Sequence, residues 1–157
     1  MLRAKVYNGG QIYNKRDEPV LCISAAGGVM AKVGLRGIKV VEANFKDNNL
    51  QATEFTLAPK LTRRISVGDD VHFILRLEAA LHSTETQPFP FELECKLDGY
   101  FEITEAEGNE AIVFLNTQGT QMLFPHLRAL VSSLTAACLV NTVLLPIISV
   151  EDFKEMD

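Results

Sequence analysis

Cysteine is scarce and scattered in this chain. Three residues, Cys22, Cys95 and Cys138, occur among 157, none at CxxC spacing. That excludes a disulfide framework and makes a reduced cytoplasm the simpler compartment. Histidine is as sparse: His72, His82 and His126 fall on a strand, a turn and a helix start. Without HxH, HExxH or a Cys/His cluster, neither a metal site nor a cofactor is expected. GxSxG and GxxxxGK[ST] are absent, and the glycine-rich "SAAGGVMAKVG" lacks phosphate-loop spacing. The paired acids Asp69 and Asp70 precede a strand and read as a turn. Cys95 alternates with Leu93 and Leu97 and reads as a small core residue. No catalytic residue emerges, so the expectation is a protein that is not an enzyme. The amino end, "MLRAKVYNGG", has no apolar h-region, so no secretory signal is expected.

Charge is also missing where it would be most expected. Residues 129–150, "ALVSSLTAACLVNTVLLPIISV", carry none, and 15 of these 22 residues are apolar. Elsewhere charge is plentiful but uneven. Up to residue 39 there are seven Lys or Arg against Asp17 and Glu18, while the remainder has 8 basic and 18 acidic groups. An acidic body argues against nucleic acid, because phosphate contacts need clustered Lys and Arg. Length and an apolar fraction of 47% describe one globular unit with a real core.

The middle of the chain has the period of β-structure. In "DVHFILRLEAAL", Val71, Phe73, Leu75, Leu77, Ala79 and Leu81 alternate with residues that include His72, Arg76 and Glu78. "FPFELECKL" repeats the pattern through Phe89, Phe91, Leu93, Cys95 and Leu97. A period of two predicts antiparallel strands with one apolar and one wet face. Asp98 and Gly99 interrupt it before "YFEI" resumes, which predicts a bulge or bend there. Upstream, "GIKVVEANFKDN" shifts its apolar phase from Ile38 and Val40 to Val41, Ala43 and Phe45, predicting another bulge. Pro59 marks "EFTLAPKLTRRISV" as an edge or interrupted strand. Four antiparallel strands over residues 36–104 are therefore expected.

After "EAEGNE" the period changes. "AIVFLNTQG" reads as a short helix or an irregular segment. Pro125 suits the first turn of a longer helix, along which Leu127, Leu130, Val131, Leu134 and Cys138 form one apolar face. Asn141 is a reasonable stop, and "TVLLPIISV" follows as an extended apolar strip. The opposite helix face (Ser132, Ser133, Thr135, Ala136, Ala137) is small and neutral where a solvated face would carry charge, which suggests close approach of another element, within the monomer or across an oligomer interface. A membrane span is long enough at 22 residues, but Asn141, Thr142 and Pro146 fall mid-span and no arginine follows Val150. Insertion in a membrane is therefore not expected.

The motif "GYFEI", a gap, "LFPHLRALVSSL" and an apolar strip ending in one proline resemble the SecB family of export chaperones. Gly99, Phe101, Leu123, Phe124, Pro125, Arg128 and Pro146 carry the match. "GIKVVEANF" resembles the family's first strand, with Glu42 and Phe45 at its acidic and aromatic positions, and "DDV" at 69–71 also fits. The resemblance spans residues 36–150, so residues 1–34 are read as an extension of unknown role and 35–157 as the SecB-like domain. His126 stands for the family's tyrosine, and Cys138 and Asn141 for the glycine and proline of its post-helix turn. The Asn-Phe pair after the last proline is missing. Lys46 occupies an acidic position, whereas Glu94 falls where an acidic residue belongs.

The resemblance implies an α+β fold, a four-stranded antiparallel sheet followed by a long C-terminal helix. It implies a cytoplasmic homo-oligomer, a dimer of dimers, that holds unfolded preprotein for export without ATP. The implied groove residues are Phe55, Leu57, Tyr100, Phe101, Phe124, Val143 and Leu145. The implied oligomer interface is Ser132, Ser133, Ala136 and Ala137. Glu42 and Glu94 are the implied acidic surface, with SecA as the candidate partner beside the unfolded clients. Two other readings keep the fold: a chaperone dedicated to one client, such as an antitoxin, and a family relative with no chaperone role. A hot-dog thioesterase also wraps a sheet around a helix, but there the helix comes early among the strands.

Overall fold

In the computed structural model, residues 21–24, 30–51, 56, 58–106 and 108–155 are described. Four long strands form the body: β2 (Met30–Asp47), β3 (Lys60–Val67), β4 (His72–Leu81) and β5 (Phe91–Thr104). Two short strands flank them, β1 (Leu21–Ser24) and β6 (Lys154–Glu155), in the order β1-β2-β5-β4-β3-β6. The expected four-stranded antiparallel sheet is thus the centre of a six-stranded one. β1 adds to it antiparallel through Leu21↔Val33 to Ser24↔Met30. β6 pairs parallel to β3 at Thr62 and Arg63. A two-residue strand has no readable period, which is why the sequence did not announce β6. β3, β4 and β5 follow one another as hairpins, and β2 returns beside β5 in a Greek key.

Alternation decides which side is buried. Phe73, Leu75, Leu77, Ala79 and Leu81 on β4, with Leu93, Cys95, Leu97, Phe101 and Ile103 on β5, bury one face. Arg76, Glu78, Glu94, Lys96 and Tyr100 lie on the other face, half-buried. Val41 is the extra residue of a bulge between Val40↔Leu97 and Glu42↔Lys96, where the apolar phase shifts. No bend interrupts β5, contrary to expectation. Its pairing with β4 is continuous from Leu81↔Leu93 to His72↔Glu102. The irregularity lies across from it in β2, where Arg36 is extra between Leu35 and Gly37.

The helix begins earlier than the sequence suggests. It comprises α1 (Gly108–Phe114), a π-helical stretch (Leu115–Gly119) and α2 (Thr120–Ala137). Pro125 therefore sits inside α2, not in its first turn. Burial of Ala111, Leu115 and Leu123 carries the helix through "AIVFLNTQG", whose β-branched residues and glycine have poor intrinsic propensity. In the π stretch, Thr120 Oγ1 donates to the Leu115 carbonyl at 2.9 Å.

Leu123, Leu127, Val131 and Thr135 are all fully buried, four residues apart. Steps of four overshoot the 3.6-residue turn, so this row winds round the helix from the sheet towards the returning chain. Gly99 permits the close approach of α2 to β5. A Cβ there would stand 3.0 Å from Phe101 Cε2 and 3.1 Å from both δ-carbons of Leu123.

The helix ends at Ala137 with Cys138 as its cap, before the expected Asn141. Leu139 N–H donates to the Ala136 carbonyl and Val140 N–H to that of Thr135, a Schellman closure. Its left-handed position, normally glycine, is Leu139 at φ 59°, 94% exposed. Leu139→Gly is expected to raise stability by about 0.5–1 kcal/mol by removing this backbone strain. The midpoint of urea unfolding reads it, and a lower midpoint would contradict the strain.

Candidate polypeptide-binding surface

From Asn141 to Ser149 the chain is extended and runs back along α2. The charge-free stretch is therefore divided at Leu139 into a helix end and a strip. Among the described residues no helix is long and apolar enough to cross a membrane. The strip is fastened by side chains of α2. Val143 N–H donates to Thr135 Oγ1 at 3.0 Å, and Ser132 Oγ donates to the Val143 carbonyl at 3.1 Å. Arg128 Nε donates to the Leu145 carbonyl at 2.8 Å. Val143 and Leu145 line a small apolar cleft together with Pro59, Leu81, Leu93 and Val131.

At its far end Ser149 and Asp152 form a capping box on a short 3-10 turn, Val150–Asp152. Arg63 Nη1 donates to the Val150 carbonyl at 3.1 Å and to the Asn116 carbonyl of the π stretch at 2.7 Å. Phe153 then packs edge-on against Phe124, centroids 5.5 Å apart.

The strip is apolar on both sides. Val143 and Leu145 (3% exposed) point in, while Leu144 is 70% and Ile147 88% exposed. A second exposed apolar group lies on β2: Ile38 and Val40, opposite Gly99 and Leu97 on the helix side of the sheet, and Val41 in the bulge. They remain open because α2 packs over β4 and β5 and barely reaches β2. Sequence reading passed over Leu144 and Ile147; the alternation of Leu144 with Val143 and Leu145 was a usable signal, whereas Ile147, two residues beyond Leu145 and past Pro146, breaks the alternation.

Of the implied groove residues, Phe101, Phe124, Val143 and Leu145 share one apolar core. Phe55 and Leu57 lie outside the described residues. Phe101 (1% exposed) is buried beneath the helix in edge contact with Phe114, and Phe124, on α2 itself, is buried against Phe153. Tyr100 pairs with Ile74 and Gly37 on the opposite face of the sheet from the strip. Of the small helix residues, Ser133, Ala136 and Ala137 are exposed on the protomer, and Ser132 is half-buried against the strip.

Glu42 and Glu94 do come together, on Lys96. Its Nζ lies 2.7 Å from Glu42 Oε2 and 2.7 Å from Glu94 Oε1. Those hydrogen bonds raise the lysine pKa, and the bond from Lys96 lowers that of Glu94. One cation thus offsets part of the acidic pair. Lys46 contacts Glu92 at 3.4 Å nearby.

Asp69, of the "DDV" match, has a local role. Its carboxylate accepts the Val71 and His72 N–H groups and contacts the His72 ring, which holds its pKa down at about 2. Burial pushes the Cys95 thiol up to about 11, away from nucleophilic character. Among the described residues no group of His, Cys, Asp or Glu could hold a metal ion.

A Greek-key sheet backed by one long helix, with an apolar strip folded back along it, defines a SecB-like fold. Residues 51–156 match the family model described as preprotein translocase subunit SecB, and the chain belongs to that family as a divergent member. Among solved structures it is similar to the Mycobacterium tuberculosis Rv1957 SecB-like chaperone in complex with a ChAD peptide from the Rv1956 HigA1 antitoxin. The TM-score is 0.63 at 17% identity, covering 74% of this chain and 91% of that one. No curated protein sequence matches the chain.

Proposed function

We propose that this protein is an ATP-independent chaperone that holds unfolded polypeptide on the apolar surface of the strip and β2. The observation that carries this reading is the solvent exposure of Leu144 and Ile147 above an apolar cleft. Exposed aliphatic surface gives affinity without sequence demands, and extended guests can add main-chain hydrogen bonds. The groove of Phe55, Leu57, Tyr100, Phe101, Phe124, Val143 and Leu145 belongs to this proposal, with Leu144 and Ile147 as its solvent-facing rim. So do a cytoplasmic location and a dimer of dimers built on Ser132, Ser133, Ala136 and Ala137. Residues 1–34 form an extension in this reading, and 35–157 the SecB-like domain, with β2 running across that boundary.

General export through SecA would use Glu42 and Glu94. Their shared Lys96, together with Lys46 at a nominally acidic position, favours a second reading: a chaperone dedicated to one client. The antitoxin peptide on the Rv1957 chaperone supports the same alternative.

Light scattering on the eluted protein, followed by aggregation of a reduced, unfolded client, tests the proposal. A tetramer that suppresses aggregation at stoichiometric ratio without nucleotide is the expected result. A monomer that leaves aggregation unchanged would overturn it. Suppression confined to one client would select the dedicated reading.

A further inference from the structure

We propose that residues 141–149 occupy the client seat of their own protomer, so that a guest binds by taking the strip's place. This rests on the holding function above, recasts Val143 and Leu145 from wall of the groove to its resident occupant, and specifies the ligand: an extended segment with bulky aliphatic side chains two residues apart.

The strip itself shows the fit. Val143 and Leu145 are buried and, with Pro59, Leu81, Leu93 and Val131, line a small apolar cleft, the two turned inward as alternate residues of an extended chain. What α2 recognises between them is main chain. Thr135 Oγ1 takes the Val143 N–H, Ser132 Oγ reaches the Val143 carbonyl, and Arg128 Nε reaches the Leu145 carbonyl. Every polypeptide offers those groups, so the same three side chains serve a guest of any sequence. No backbone–backbone hydrogen bond holds residues 141–148 among the described residues, so no strand pairing has to be broken for the strip to leave.

Both ends are held by turns of the chain, while the middle is fastened through side chains and without main-chain pairing among the described residues. Leu139 turns the chain in the left-handed region, and Arg63 grips the Val150 carbonyl beside the Ser149–Asp152 capping box. The strip can therefore lift as a strap and return. Occupation by the strip lowers apparent guest affinity by the fraction of time that the seat is open. It also keeps Val143, Leu145 and the cleft out of water when no guest is present.

The double variant Val143→Ser/Leu145→Ser distinguishes competitor from groove wall by sign. Weakening a competitor tightens guest binding, whereas removing a wall loosens it. The dissociation constant for fluorescein-labelled, reduced and carboxymethylated α-lactalbumin is expected to fall at least tenfold. An unchanged or larger constant would overturn the proposal. Should the double variant lose its helical circular dichroism, Val143→Ala replaces it, with an expected threefold fall and the same overturning result.

If the wild-type chain binds no guest, it is the holding function that fails. The strap is then judged by hydrogen exchange. The Val143 amide is expected to exchange at least a hundredfold faster than that of Leu127 in α2, and equal protection would end the proposal.

Discussion

Replacing Phe101 by alanine is expected to lower the free energy of unfolding by about 3–5 kcal/mol. The ring is 1% exposed and meets Phe114 edge-on at 6.5 Å. Gly99 leaves no Cβ to fill the space beside it, and Leu123 of α2 closes over the same point. A cavity there has sheet on one side and helix on the other, so it collapses poorly and keeps most of its cost. Since domains of this size are stable by only about 5–15 kcal/mol, much of the total would go. Urea unfolding followed by circular dichroism reads the change. A loss below about 1 kcal/mol would mean that the helix settles onto the sheet and fills the gap.

Asp98→Ala is expected to cost about 2–3 kcal/mol, through charge and not volume. Asp98 is 4% exposed on the face away from the helix. Both of its oxygens accept from Arg76, Oδ1 from Nε at 2.7 Å and Oδ2 from Nη2 at 2.8 Å. Removing one partner of a fully buried pair costs about 3–5 kcal/mol because the other charge is stranded. The Arg76 side chain is 36% exposed and keeps some water, which lowers the figure. The double change Asp98→Leu/Arg76→Met removes both charges and should recover most of the loss. A double variant no more stable than Asp98→Ala would show that the pair stabilises the sheet by itself.

The strands were legible because their two faces differ chemically. Glu92, Glu94 and Lys96 alternate with Leu93, Cys95 and Leu97, so period and side were both visible. The bulge in β2 showed as a change of phase at Val41, and the apolar strip as a run without charge. The onset of the helix was hidden because "EAIVFLNTQG" folds as helix through burial, against its own propensities.

The site was harder to read for a different reason. Core and groove both require apolar side chains, so Phe101 and Leu145, buried in the protomer, and Leu144 and Ile147, exposed on it, looked alike. One distinction was available. Tyr100 and Phe101 are neighbours on a strand and so point to opposite faces of the sheet.

The Greek key has a consequence for how this chain is made. β2 finds its long partner only in β5, through pairs that lie between 44 residues apart (Asp47↔Phe91) and 72 apart (Lys32↔Thr104). Non-local pairing of that span is slow, because the loop must close before any contact rewards it. A nascent chain that has not yet reached residue 91 holds the β3–β4 hairpin and a long β2 whose only neighbour among the described residues is β1. On the ribosome it is itself an unfolded aliphatic strand awaiting a partner, the same kind of chain that its finished form is proposed to hold.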